Sequence, residues 1–434
     1  MALDAGLAPR LREAVAARRE ELIELTCALV RERSLLGEEE GAQRLVEDRL
    51  RRLGFTVERV PIELPAEDDG TWGYPPLESY AGRTCVAGRV AGAGPGRSLH
   101  LSGHVDVVPV EAPETWRHDP WAGEVADGRV WGRGAGDMKA GLAAYLVGAA
   151  AYLEVCGAPH GDLLFSSVIE EECTGNGMKA VLAAGYDADA TLIGEPSELR
   201  LMHAGAGVIW ARLRARSAGA HVAFGDGTSS SQRMLAALGA LGEMERRLNL
   251  LGEDAEARTR AGADAVFLLA HDRPFRLNAG TFAGGAWPSS EPATVEVRLR
   301  VGFGPSLTPT EAQQLVAETV RGTTPEVEVS FEGFRAVAYC DDLDHDLALT
   351  VSAAHAALHG GAPARQVLAA TTDARSVAGP CICYGPTSGA IHATDEWVDI
   401  DSIEDVAATV ALTIDGWQRA EAMPRAGLEP APPD

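Results

Sequence analysis

The sequence predicts an α/β protein: a mostly parallel sheet, with a ferredoxin-like unit inserted into it. From Arg83 onward, short apolar runs alternate with helical segments, the β-α rhythm of a parallel sheet. Between about residues 207 and 333 this rhythm gives way to strict apolar-polar alternation in IWARLRARS and TVEVRLRV. Alternation of period two is the mark of an antiparallel sheet with one wet face. The first rhythm then resumes through Trp417, so the antiparallel unit interrupts a larger domain. A chain of 434 residues also exceeds one ordinary core and fits two domains.

Residues 9–54 read as amphipathic helices. The clearest strands are 98–102, 163–169, 190–194 and 381–384, each short, apolar and ending in polar residues. The longest apolar stretch, 141–155, falls short of the ~20 residues of a membrane-spanning helix. Within the insert the order is strand 207–216, helix about 230–250, strand 276–285, strand 293–302, helix about 309–321 and strand 326–331. That β-α-β-β-α-β order is the split-βαβ unit. Thr308, Pro309 and Glu311 form a capping box with proline at the first helical position. The expected division is therefore 1–206 and 334–420 for the larger domain and 207–333 for the insert, with a proline-rich tail, 421–434, expected to be disordered.

The charge balance, 38 Lys plus Arg against 63 Asp plus Glu, gives a net −25. Such a field repels nucleic-acid backbones and anionic membrane surfaces, so neither is an expected partner. The amino terminus mixes charges with apolar residues and has no continuous apolar core, unlike a secretory signal, and a cytoplasmic location is expected. Seven cysteines without a CxxC pair suit neither a disulfide framework nor a structural zinc site, and Cys381 and Cys383 read as core residues.

Ligands in open α/β sheets collect at the carboxyl ends of the strands. The first strand runs into SGHVDVVP, which delivers His104 and then Asp106. A metal-bound histidine usually gives its second N–H to a carboxylate that fixes its tautomer, which is the part the His-x-Asp pairing suggests for Asp106. VWGRGAGDMKAG turns on glycines and enters a helix at Asp137, which alone would read as an N-cap. VIEEECTGNG places three acids at the tip of a buried strand, where carboxylates repel one another unless a cation is bound. Glu195 ends the next strand, and SGAIHATDEWV offers His392 with Asp395 and Glu396 after it. Each segment alone is weak. Together they supply two histidines, three carboxylates and a spare glutamate, a donor set suited to zinc. Two metals about 3.5–4 Å apart can share a carboxylate, bind hydroxide between them and polarise a carbonyl.

In that order, SGHVDVVP, WGRGAGDMKAG, IEEECTG, GEPSE and HATDEWV resemble the co-catalytic zinc metallopeptidases and deacylases that include acetylornithine deacetylase, succinyl-diaminopimelate desuccinylase, aminoacylases and glutamate carboxypeptidase. The resemblance spans roughly residues 15–418 and implies two divalent ions, zinc above cobalt or manganese. It makes His104 and Glu195 ligands of one ion, Glu172 and His392 ligands of the other, and Asp137 the bridge. Asp106 would orient His104, and Glu171 would be the general base; a register one residue away would exchange base and ligand. Glu170 then stands where relatives commonly carry aspartate.

The insert resembles the family's lid and dimerisation domain, which implies a homodimer in which His221 reaches the partner's site. Asn278 and Arg300, with Arg298 as the alternative arginine, would bind a substrate carboxylate. After His221, the segment VAFGDGTSSSQ departs from the family's usual proline and asparagine pattern. The resemblance thus implies a dinuclear metallohydrolase of linear amide bonds, acting on a small N-acyl amino acid, or on a dipeptide with the same machinery.

Overall fold

The computed structural model describes residues 6–67, 69–225, 227–250 and 262–419; the tail expected to be disordered lies outside them. Three helices open the fold: Leu7–Ala16, Arg19–Arg31 and Glu40–Arg52. In the second, Leu22, Thr26, Leu29 and Val30 are buried, a stripe at helical spacing, with Glu20 and Glu21 in the first turn and Arg31 in the last to complement the helix dipole.

The main sheet runs, edge to edge, Thr56–Pro61, Thr84–Val90, Leu163–Val168, Leu99–His104, Thr191–Ile193, Cys381–Cys383, Leu201–Gly205 and Tyr339–Cys340, and Arg365–Leu368 also pairs with Leu201–Gly205. The middle four strands are mutually parallel. They are buried along their whole length, which is why they read as largely apolar runs. Thr56–Pro61, Thr84–Val90 and Tyr339–Cys340 extend the sheet antiparallel.

The apolar stretch becomes helix Ala140–Cys156, every residue of which is buried from Ala140 to Tyr152. By length and composition the segment Ala135–Cys156 could cross a membrane, but it packs inside the protein against helix Ile400–Arg419. Small residues set that contact: a Cβ on Gly148 would lie 2.6 Å from the Ala407 carbonyl oxygen.

The inserted unit is a four-stranded antiparallel sheet in the order Leu277–Gly284, Thr294–Phe303, Gly207–Arg216, Glu328–Ala336. Helices Ser230–Leu250 and Pro309–Thr323 cover one face, so the chain and sheet orders are those of a ferredoxin-like unit. Ile209, Leu213, Val297 and Leu299 face these helices, while Arg212 and Arg214 share Glu296 on the opposite face at 2.6 and 2.9 Å. The capping box forms between Thr308 and Glu311. The last strand continues to Ala336, three residues beyond the expected boundary. None of the seven cysteines is in a disulfide, and Cys381 and Cys383 are core residues, whereas Cys340 is exposed.

Candidate active site

Parallel strands deliver His104, Glu171, Glu172 and Glu195 at their carboxyl ends, whereas Asp137 follows Arg129–Trp131 and His392 lies between Ser388–Gly389 and Trp397–Asp399, strands of a small antiparallel sheet. His104 is the last residue of Leu99–His104 and is fully buried. Its Nδ1 faces the Asp106 backbone carbonyl at 2.9 Å. A carbonyl only accepts, so Nδ1 donates there, and Nε2, 3.2 Å from Asp137 Oδ1, donates to that carboxylate; although burial opposes the charge, Asp137 and the neighbouring acids raise the imidazole well above its ordinary range. The Asp106 carboxylate stands further off, 3.7 Å from Nδ1. It accepts instead the amide N–H groups of Glu171 at 3.2 Å and Glu172 at 3.0 Å. The expected orienting role thus falls to the main chain of Asp106, and its side chain shapes the neighbouring strand tip.

Asp137 is held by its backbone. Glu396 Oε1 accepts the N–H groups of Gly136 at 3.0 Å and Asp137 at 3.1 Å, and Glu396 Oε2 is ion-paired with buried Arg133. Glu195 follows the strand Thr191–Ile193, and here two glycines meet: a Cβ on Gly141 would lie 1.8 Å from the Gly194 carbonyl oxygen. His392 places Nε2 3.0 Å from Glu172 Oε1 and 3.6 Å from Asp137 Oδ2.

The three adjacent acids diverge sharply. Glu170 has φ +67°, a left-handed backbone that a residue with a side chain keeps only when its surroundings hold it. They do: its carboxylate pairs with Arg83, accepts from Tyr80 Oη at 2.8 Å and from Thr174 Oγ1 at 2.7 Å, and its carbonyl accepts the Gly175 N–H at 2.7 Å. Glu171 and Glu172 then emerge toward His104. Ligand-type atoms of His104, Glu171 and Glu195 lie within 4.8 Å of one another, as do those of His104, Asp137 and Glu172.

The electrostatics of this cluster suit divalent cations. Burial pushes the Glu171 carboxyl up to about 8, with Asp373 adding to the effect and His104 and Arg375 opposing it. Burial, then the charge of Asp137, raises Glu195 well above the usual carboxylate range. Burial disfavours the charged form of His392, but Glu172 and Asp137 outweigh it and raise the imidazole to about 9. Without metal the site must hold protons on groups that are ordinarily neutral or anionic at pH 7, and bound cations would replace that positive charge.

The lid residues lie apart. His221 is exposed on strand Ala220–His221, where its Nδ1 accepts the Ala223 N–H at 3.2 Å, and no described contact joins it to the cluster. Asn278 pairs across the sheet with Arg300. The Arg300 guanidinium donates to the carbonyls of Arg276 at 3.2 Å and Ala369 at 3.1 Å, bridging lid and main domain, while Arg298 is ion-paired with Glu332 at 3.2 Å. Sequence reasoning missed Arg375, whose Nη1 is 3.3 Å from Glu171 Oε1, and the Arg133–Glu396 pair beneath Asp137. Arg375 lies in a short turn with no periodicity to mark it. Glu396 was visible as an acid next to His392, but nothing in its spacing showed that it points toward Asp137.

The chain is 29% identical over 409 residues to the succinyl-diaminopimelate desuccinylase of Rhodospirillum centenum, covering 91% of this chain and 97% of that one. It is 30% identical over 402 residues to the enzyme of the same name from Cereibacter sphaeroides, covering 89% and 96%. The fold matches a di-peptidase from Saccharomyces cerevisiae with a TM-score of 0.76 at 14% identity, covering 96% of this chain and 99% of that one. Human carnosine dipeptidase 1 matches with a TM-score of 0.74 at 16% identity, covering 94% and 99%. Residues 100–416, which carry every candidate ligand, match the model of peptidase family M20/M25/M40, and the chain belongs to that family of amide-bond hydrolases.

Proposed function

We propose that the protein is a dinuclear metallohydrolase that removes the acyl group from a small N-acyl amino acid, with Glu171 as general base. The observation that carries this reading is the position of Glu171, a buried carboxyl whose oxygen lies with the ligand-type atoms of His104 and Glu195. A carboxylate beside the water that the ions would hold can take its proton and return it. His104 and Glu195 would hold one ion, Glu172 and His392 the other, with Asp137 shared; zinc suits these donors best, ahead of cobalt or manganese. When bound, such ions acidify water and polarise the scissile carbonyl.

Glu171 accepts the proton of the attacking water and passes it to the amide nitrogen as the C–N bond breaks, so that the amine leaves neutral. Asp106 keeps Glu171 and Glu172 in register through their two amides. Arg300, which meets no carboxylate among the described residues, and Asn278 beside it would bind the substrate carboxylate. Residues 207–333 form the lid and dimer domain, with 1–206 and 334–420 as the catalytic domain. His221 serves the partner's site in a cytoplasmic homodimer.

The curated relatives support a deacylase, being named for removing a succinyl group. A dipeptidase is the second reading, favoured by the names of the fold neighbours. A screen of N-acetyl, N-succinyl, N-formyl and dipeptide substrates with Zn²⁺ or Co²⁺ tests both. Preferential cleavage of dipeptides would replace the first reading with the second, and no amide cleavage at all would end both.

A further inference from the structure

The turn Asp373–Ser376, between strands Arg365–Leu368 and Cys381–Cys383, carries no candidate ligand, yet it sends the Arg375 side chain to Glu171. That side chain is 2% exposed and fills a socket shaped around it. Nη1 commits both of its hydrogens, one to Glu171 Oε1 at 3.3 Å and one to Thr371 Oγ1 at 3.2 Å. Nη2 is 3.7 Å from Asp373 Oδ1, and Gly175 leaves it room, since a Cβ there would lie 1.9 Å away. The ring of Phe334, from the last lid strand, covers the group with its centre 5.3 Å from the guanidinium carbon.

Glu171 itself is held at one oxygen only. Among the described residues no other hydrogen bond reaches its carboxylate. One of its oxygens lies within 4.8 Å of the ligand-type atoms of both His104 and Glu195.

We infer that Arg375 is a positioning residue for Glu171: it pins Oε1 and so leaves Oε2 to take and return the proton of the attacking water. The inference rests on the hydrolase reading above and adds to it what fixes the base. A glutamate side chain has several free torsions, and freezing them before the reaction removes an entropy cost that the transition state would otherwise meet. A reacting group misplaced by about 1 Å can lose about 10²-fold in rate. A guanidinium suits the task because its planar fork meets Glu171, Thr371 and Asp373 from one fixed position, whereas an ammonium is a point charge on a flexible stem.

Arg375→Met would leave Glu171 and Asp373 as buried acids without their cation, which is strongly destabilising, so Arg375→Lys carries the test: it keeps the charge and loses the fork. In metal-reconstituted protein of unchanged metal content, Arg375→Lys should lower kcat by about 10–10²-fold, with KM little changed, on whichever amide the wild type cleaves best. Placed on Glu171→Gln, which has no base left to position, the same substitution should lower the residual kcat no further. An equal fall in both backgrounds means a structural role only and overturns the inference, as does wild-type kcat in Arg375→Lys. A readout independent of turnover is the crystal structure of the metal-free Arg375→Lys protein, in which the Glu171 carboxylate should occupy more than one rotamer. A single rotamer unchanged from wild type also overturns the inference. If the wild type cleaves no amide while the carboxylate is released in the variant, positioning by Arg375 stands and the hydrolase reading fails.

Discussion

The carboxylate of Asp106 accepts the amide N–H of Glu172 at 3.0 Å, so a residue on one strand tip sets the backbone course of the next. Its other oxygen does the same for Glu171. The two glutamates are therefore presented by one fixed turn but with different surroundings: Glu172 reaches His392, and Glu171 is enclosed with Arg375.

That difference predicts opposite phenotypes. Glu171→Gln should retain metal and lower kcat by about 10²–10⁴-fold, the range for loss of a general base. Glu172→Gln should lose metal affinity. Kinetics beside metal analysis would show a base and ligand exchanged by one residue if the two variants behave the other way round.

Two divalent ions per chain are expected, because Asp137 turns Oδ1 toward His104 at 3.2 Å and Oδ2 toward His392 at 3.6 Å, one oxygen for each proposed ion. Metal analysis of reconstituted, gel-filtered protein should return a stoichiometry near two. A value of one or less rejects the dinuclear centre.

The Arg133–Glu396 pair is buried and holds the backbone of Asp137. Glu396→Gln strands a buried guanidinium charge and should cost about 3–5 kcal/mol in chemical denaturation of metal-free protein. Arg133→Met added to it should recover part of the loss. Loss of less than 1 kcal/mol in the single variant would mean that the pair is not holding this turn.

His221 is expected to act across the dimer, since its own chain gives it no contact with the cluster and the lid's edge strand Leu277–Gly284 is largely exposed. Mixing inactive His221→Ala with inactive Glu171→Ala subunits should regenerate one working site per hybrid dimer. Exchange verified without recovered activity refutes the trans role.

His100 gives a pH prediction. Burial lowers its imidazole to about 3, and Nε2 is 2.8 Å from Ser166 Oγ. The unfolded chain takes up that proton near pH 6.5 and the folded one only near 3, so this contribution is complete above 6.5 and lost as pH falls between those values. The slope should approach ~1.4 kcal/mol per pH unit. Denaturation of His100→Gln between pH 4 and 7 should show a shallower decline, and identical slopes would exclude His100 as the source.

Much of this architecture is legible in the sequence because burial leaves a periodic trace. The four apolar runs are the four parallel strands, and the alternating arginines of 207–216 mark the polar face of the lid sheet. Tips of the parallel strands point to His104, Glu171, Glu172 and Glu195 by the same logic. What stays hidden depends on directions that have no period. Three consecutive glutamates look alike until a left-handed backbone at Glu170 turns the first into a structural anchor. Arg375 sits in a turn of four residues, and its meeting with Glu171, 204 positions earlier in the chain, leaves no local mark. Asp106 next to His104 suggested a side-chain contact that the main-chain carbonyl makes instead.

The meeting of Gly141 with Gly194 bears on which cation the centre would prefer. Helix and strand touch there through bare backbone, since a Cβ on Gly194 would lie 2.9 Å from the Gly141 carbonyl carbon. Asp137 lies four residues before the first glycine and Glu195 directly after the second. Their separation is therefore set by a main-chain contact rather than by the reach of flexible side chains. Carboxylates on a stiff frame could not spread to admit a larger ion without disturbing the core, so the proposed centre would disfavour calcium, with its longer bonds and higher coordination number, relative to ions of smaller radius.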